Sequence, residues 1–265
     1  METNIILLII TTIVKSIILL GLANFLYKKW KSQRKKYYTD FPILMATTFL
    51  IYSIIKIMDV YLYLLGYDST TLYNIEGRKW VILKNIRFIF SPVLTMGILI
   101  ILLTLIWVGD NKRIQLSIGT IWIGAAILSL VLIKDLDNFY LAIGLFSAPV
   151  LVLSVLTFLI THIQKKLPEV HSLTIAIGYV ALTIAQLIRP FWREMGTGNF
   201  GSLWAGELLE LLTLCIIAYG YLTPASYAKK KEIKKNNTQM NKKRVEKKFK
   251  NKSKEEEFKK IKLIN

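Results

Sequence analysis

The sequence predicts an all-α, polytopic integral membrane protein with seven transmembrane helices, and three observations lead to this fold class. The 265 residues are 54% hydrophobic, with a mean hydropathy of +0.46, which is too apolar for a soluble domain. The apolar residues come in runs of about 20 without strand-like alternation, long enough for helices to cross a bilayer. The positive charge is concentrated in one loop and in the C-terminal tail.

The first three predicted helices span residues 5–26, 41–65 and 81–108. An acidic start and the lack of a small-residue cleavage site predict that the first is a retained helix rather than a secretory signal. Six basic residues in 28–36 follow it directly and separate it from the second helix. Pro92 is expected to kink the third helix, because proline lacks an amide proton and its ring clashes with the preceding turn.

The fourth helix is predicted over residues 114–133, and the fifth, which contains Pro149, over 139–161. The pair Thr120 and Gly124 on the fourth helix has the small-xxx-small spacing of closely packed membrane helices. We therefore expect the fourth helix to pack closely against its neighbours.

The sixth helix is predicted over residues 171–188, because Pro190 limits its continuation. The seventh is predicted over 203–222 and ends before Pro224. The chain therefore divides into a seven-helix transmembrane domain, 1–227, and a tail, 228–265.

The distribution of charge predicts the orientation. The positive-inside rule places the basic loop 28–36 in the cytoplasm and the N-terminus outside. The tail 228–265 contains 16 Lys and Arg residues against 5 acidic residues, and seven crossings place it on the same cytoplasmic face. This agreement supports a multi-pass protein of the cell membrane.

The tail is expected to be either disordered or an amphipathic helix on the membrane surface. Its charge predicts binding to anionic lipid headgroups at the basic inner face and is compatible with a cytoplasmic signalling partner. Because no base-reading pattern accompanies the charge, specific nucleic-acid binding is not expected. One cysteine, two histidines and the lack of catalytic motifs lead us to expect no metal, no cofactor and no enzymatic activity.

Charged residues at membrane depth form the candidate site. They are costly in hydrocarbon, so each is expected to face a partner or a water-filled cavity. Helical spacing groups them into stripes on the second, sixth and seventh helices, with single cations on the first and third. The candidate residues are Lys15, Tyr52, Lys56, Asp59, Tyr63, Arg87, Gln186, Arg189, Glu207 and Glu210.

Two interpretations of these charges stay open. In the structural one, three cations (Lys15, Lys56 and Arg87) neutralise three carboxylates (Asp59, Glu207 and Glu210) and fix the fold. In the functional one, the same groups line an outward-facing polar pocket, where Arg87 or Lys56 holds an anionic ligand group and Asp59 or Glu207 a cationic one. Tyr52 and Tyr63 would supply walls and hydroxyl groups. Proton relay through the carboxylates is a variant of the second interpretation.

The layout resembles that of G-protein-coupled receptors, microbial rhodopsins and the seven-helix sensor portions of some prokaryotic signalling proteins. The segment 223–227, Thr-Pro-Ala-Ser-Tyr, is similar to the Asn-Pro-x-x-Tyr pattern of the receptor family. The seventh helix contains no lysine for a retinal Schiff base, which disfavours a rhodopsin. The leading hypothesis is a receptor- or sensor-like protein. The alternatives are a small-solute or proton-coupled transporter and a structural membrane protein without a ligand.

Overall fold

The computed structural model describes residues 3–33, 37, 40–65, 86–87, 89–109, 111–132, 136–195, 201–225 and 227–228. All regular secondary structure within these residues is helical. The tail 229–265 and the predicted loop 66–80 lie outside them. The described part of the chain contains seven α-helices: α1 (Thr3–Lys31), α2 (Phe41–Leu64), α3 (Met96–Val108), α4 (Lys112–Leu132), α5 (Leu136–Ile163), α6 (Ser172–Glu194) and α7 (Leu203–Leu222).

Six helical segments in the described part of the chain are long and apolar enough to cross a membrane. They lie in α1, α2, α3 with the turn that precedes it, α5, α6 and α7. The apolar part of α4, Arg113–Ser129, is shorter. Leu116 and Ile121 of α4 are more than 70% exposed, as expected for side chains that face lipid. The protein is therefore a multi-pass membrane protein.

The sixth predicted helix ends too early. The structure continues α6 through Pro190 to Glu194. A proline removes one backbone hydrogen bond, and membrane helices tolerate this loss because neighbouring groups can satisfy the freed carbonyl. The extension adds more than a turn to α6 beyond Arg189 and keeps this side chain on the helix.

The predicted start of the third helix, 81–85, lies outside the described residues, and residues 86–87 are helical. Ile89–Thr95, which contains Pro92, is a π-helical segment that leads into α3. Insertions of this kind widen a helix locally and interrupt its regular hydrogen bonding, as the predicted kink requires. Arg87 lies just before this segment.

Two helix pairs form the centre of the bundle. α1 packs along α2, α6 packs along α7, and α1 also contacts α7, which joins the pairs. We call the end of the bundle that contains the start of α1 the N-end, and the opposite end, from which the chain continues into the tail, the tail end. The N-end also contains the end of α2, the end of α6 and the start of α7.

Two apolar clusters enclose the middle of the bundle. The larger one extends towards the tail end and includes Phe49, Leu102, Phe158 and Tyr221, all fully buried. The smaller one lies at the N-end, and we call it the cap cluster. It consists of Leu8, Tyr63 and Leu203, with Ile5, Ile9, Trp192 and Trp204 packed against them.

α4 lies at the edge of the bundle. Trp122 anchors it, because its indole Nε1 donates to Val93 O at 3.0 Å and its ring packs against Gly97. The predicted close packing of Gly124 is not observed: within the described residues, no atom of another element lies within 4 Å of a Cβ placed there. An aromatic side chain holds this helix instead.

Candidate functional site

Two glutamates on α7 form the centre of the candidate site. Glu207 and Glu210 are 1% and 3% exposed, and their spacing of three places them on the same face of the helix. The predicted stripe on the seventh helix therefore points into the bundle.

Glu207 contacts cations from three other helices. Its Oε2 accepts from Lys15 Nζ of α1 at 2.7 Å, and its Oε1 accepts from Lys56 Nζ of α2 at 2.9 Å. Arg189 Nη2 of α6 donates to the same Oε1 at 2.5 Å. One carboxylate thus joins α1, α2 and α6 to α7.

Glu210 and Asp59 extend the contacts in two directions. Glu210 Oε2 lies 2.7 Å from Lys15 Nζ and 2.9 Å from Arg189 Nη1. Asp59 accepts from Lys56 at 3.1 Å and from Arg87 Nε at 2.9 Å. We call this set the charge cluster; its members are Lys15, Lys56, Asp59, Arg87, Arg189, Glu207 and Glu210.

The cluster brings together six charges that the sequence had balanced three against three, and it adds Arg189. Among the described residues, four cations therefore contact three carboxylates. All are buried except Arg189, whose side chain is 26% exposed. A buried charge without a partner of opposite sign strongly destabilises a protein. Because four cations meet three carboxylates, each cation has a partner only if the carboxylates are shared.

The remaining predicted residues lie around the cluster or away from it. Tyr63, on α2, belongs to the cap cluster, between the charges and the N-end. Tyr52, one turn before Lys56, packs against the larger apolar cluster. Gln186 lies three residues before Arg189 on α6, but its side chain is exposed and does not belong to the charge cluster. Tyr52 and Tyr63 therefore flank the charges from opposite sides.

The tail end contains contacts that the sequence reasoning missed. Lys29 Nζ of α1 donates to Tyr221 O of α7 at 2.5 Å and to Glu169 O, before α6, at 3.2 Å. His171 N donates to Gly220 O at 2.8 Å. The sequence identifies Lys29 only as a charge of the basic loop, but it also binds a carbonyl in the last turn of α7.

Glycines allow α6 and α7 to approach each other closely at the tail end. A Cβ placed on Gly220 would lie 3.0 Å from Ile175 N, and one placed on Gly178 would lie 3.1 Å from Ile217 N. Contacts this short with backbone atoms exclude any larger residue without a shift of the helices. The signal in the sequence was a glycine inside each of two membrane helices.

A hydroxyl pair joins α1 to α2 near the cluster. Ser16 Oγ and Ser53 Oγ are 2.8 Å apart, and each also bonds the other's backbone oxygen, at 3.2 and 3.1 Å. Serine hydroxyls in membrane helices commonly link neighbours in this way. The pair lies next to Lys15 and fixes the register of the helix that carries it.

A cavity lined by described residues lies away from the charge cluster. It has a volume of about 280 Å³ and opens between α1 and α2 on the tail-end side. Its lining is mostly apolar and includes Leu20, Ala23, Ile43, Ala46 and Leu50. In the part of the chain that the structure describes, no group of three or more His, Cys, Asp or Glu side chains could hold a metal ion.

Comparisons with protein-family models, with curated proteins and with solved structures found no match to this chain. The resemblance of the layout to seven-helix receptors therefore has no support from these comparisons. What the site does has to be inferred from its own geometry.

Proposed function

We propose that the protein is a receptor- or sensor-like protein of the cell membrane. It crosses the bilayer seven times, α4 included, with the N-end outside and the basic tail in the cytoplasm. Ligand occupancy near the charge cluster shifts the packing of α7. That shift alters how the basic inner face meets anionic lipid headgroups or a cytoplasmic signalling partner.

One observation carries this proposal: the same helix is the centre of the charge cluster and the helix that leads into the tail. Glu207 and Glu210, near the start of α7, contact three other helices. Tyr221, near its end, is held by Lys29. A helix moves nearly as a rigid unit, so a ligand that competes for the first set of contacts also acts on the second.

The orientation has a separate support. The described basic residues Lys28, Lys29 and Lys31 lie at the same end of the bundle as the end of α7, where the sequence continues into the basic tail, and the positive-inside rule assigns such an end to the cytoplasm. The cap cluster, with Trp192 and Trp204, lies at the opposite end, where interfacial tryptophans commonly sit. This arrangement supports an outside N-terminus.

The test begins with a thermal-shift screen of the purified protein against metabolites, lipids and ions. A ligand that binds only the native state raises the melting temperature by mass action. We expect a hit whose effect is lost in Asp59→Asn or Glu207→Gln and retained in Gln186→Leu, a matched change at an exposed position. A response that is equal in all variants would contradict a site at the cluster.

The second step measures motion. Spin labels at the exposed positions Ile163 of α5 and Tyr219 of α7, in a Cys215→Ala background, report the distance between these helices at the tail end. We expect the hit to change this distance by about 2 Å, the size of helix shifts in switching proteins. Binding without any change in distance would contradict a receptor or sensor.

A transporter is the second candidate, because a π-helical segment follows Arg87 directly. Interrupted helices at membrane depth are common at transport sites, and the charge cluster offers groups for proton coupling. Flux of the hit into vesicles that contain the protein would favour transport, whereas binding without flux would favour sensing. A structural role predicts neither binding nor flux.

A further inference from the structure

Beside the charge cluster, the C-terminal end of α6 and the start of α7 carry hydrogen-bond donors without acceptors among the residues that the structure describes. Arg189 uses two of its five N–H groups, one each for Glu207 and Glu210. Among the described residues, no acceptor bonds the other three. Since a quarter of the Arg189 side chain is exposed, these groups can be reached by a ligand.

Trp192 adds a second donor. It follows Arg189 by three residues, so both side chains lie on the same face of α6. Its indole Nε1 is buried and has no hydrogen-bond partner in the described part of the chain. Indole nitrogen can only donate, and a buried donor without an acceptor is rare in native proteins.

The position of the Trp192 ring shows where the acceptor would sit. A Cβ placed on Gly206 would lie 3.1 Å from Trp192 Cδ1, the atom next to Nε1. Ser202 N donates to Trp192 O at 2.7 Å, which ties the residue to the start of α7. The donor edge of the indole therefore lies against the first turn of α7, whose amide groups carry partial positive charge.

The charge of the neighbourhood also favours an acceptor with negative charge. The carboxylates that Arg189 contacts, Glu207 and Glu210, are each shared by at least two cations. A ligand without an acceptor oxygen would leave these donors unmatched, and a charged oxygen forms a stronger hydrogen bond to a guanidinium than a neutral one.

We propose that Arg189, Trp192 and the first turn of α7 bind the oxyanion group of a ligand, a carboxylate or a phosphate. The Arg189 guanidinium and the indole N–H donate to its oxygens. This inference rests on the proposed function, since it names the ligand class of the receptor site. The group comes either from a small solute or from the headgroup of an anionic lipid.

The test compares two tryptophans of the cap cluster. Trp192→Phe removes the indole N–H and keeps an aromatic ring against Gly206. Trp204→Phe removes an indole N–H at the same end of the bundle but keeps the backbone amides by which the first turn of α7 would bind, so it is the matched control. The melting temperature of each full-length protein is measured in phosphatidylcholine nanodiscs during titration with sodium phosphate, sodium acetate or sodium chloride at constant ionic strength.

We expect a saturable rise in melting temperature with phosphate or acetate, but not with chloride, in the wild-type protein and in Trp204→Phe. In Trp192→Phe the apparent affinity falls about tenfold, as expected for the loss of one hydrogen bond to a charged group. If a lipid supplies the oxyanion, phosphatidylglycerol nanodiscs raise the melting temperature instead, with the same dependence on Trp192.

Two results would overturn the inference: no response to any of these oxyanions, or equal responses in Trp192→Phe and Trp204→Phe. The proposed function fails separately. A neutral or cationic hit that depends on Glu207 and moves α7 would leave the receptor proposal standing and remove the oxyanion site. Phosphate binding that depends on Trp192 but leaves the distance between α5 and α7 unchanged would support the oxyanion site and contradict the receptor proposal.

Discussion

In the half of the bundle towards the N-end, four buried or half-buried cations and three carboxylates join the helices, whereas at the tail end the same helices meet through glycines and bonds to backbone oxygens. The charge cluster binds α7 to α1, α2 and α6 through long side chains. The tail end binds α7 to α6 through Gly178 and Gly220. Side-chain ion pairs can be exchanged for contacts with a ligand, but close backbone packing cannot.

The two ends of the bundle should respond to different kinds of substitution. Removing one partner from a buried ion pair leaves an uncompensated charge, which costs far more than the pair itself contributes. Adding a methyl group to a close backbone contact forces the two helices apart, and overpacking of this kind costs about 1–3 kcal/mol. The N-end should therefore respond to changes of charge, and the tail end to changes of volume.

The largest expected effect is at Glu207. Glu207→Ala leaves Lys15, Lys56 and Arg189 without their shared partner and should lower the free energy of unfolding by about 3–5 kcal/mol. Reversible unfolding in mixed detergent micelles measures this change. Gln186→Ala, at an exposed position of α6, is the control and should change it by less than about 0.5 kcal/mol. A Glu207 variant as stable as the control would contradict the ion-paired N-end.

An intermediate effect is expected at the tail end. Gly220→Ala places a Cβ 3.0 Å from Ile175 N and should destabilise by about 1–3 kcal/mol in the same assay. Gly21→Ala is the matched control, since no described atom of another element lies within 4 Å of its Cβ and alanine favours a helix. If both changes stabilise the protein, the close approach of α6 and α7 is wrong.

A smaller effect is expected at the hydroxyl pair. Ser53→Ala removes the bond between the two hydroxyls and leaves Ser16 only its longer bond to Ser53 O, so it should cost about 1 kcal/mol. The double variant Ser16→Ala with Ser53→Ala should cost less than the sum of the two single changes, because both single changes remove the same hydroxyl pair. Additive losses from the two single changes would mean that the serines act independently.

Much of the charge cluster follows from the sequence. Lys56, Asp59, Glu207 and Glu210 lie inside apolar segments, and the cost of a bare charge in hydrocarbon requires that they meet partners. Helical spacing then places each pair on one face. These arguments need only depth and periodicity, both of which a single sequence contains.

The partners themselves could not be predicted in full. The sequence predicts that the sixth helix ends before Pro190, whereas α6 continues to Glu194 and Arg189 reaches two glutamates. Rise per residue gives the depth of a Cα atom but not the reach of an arginine. The order of the helices around the bundle decides which side chains come into contact. This order leaves no local pattern in the sequence.

For the small residues, the sequence predicted a close contact that the structure does not contain among the described residues. We expected Gly124 to pack closely because of its spacing, yet Gly178 and Gly220 make the close contacts. Spacing identifies a face that can approach a neighbour, but it does not say whether a neighbour is present. Packing at the edge of a bundle is decided by the other helices.

The most direct test of the ion-paired N-end is a double-mutant cycle between α1 and α7. Lys15→Met, Glu210→Gln and the double variant are compared with the wild-type protein by their free energies of unfolding in the same micelles. The 2.7 Å contact between the two buried groups predicts a coupling of about 1–3 kcal/mol. Losses that add to within about 0.5 kcal/mol would show that the two charges do not interact, and the charge cluster would then not hold α7 in place.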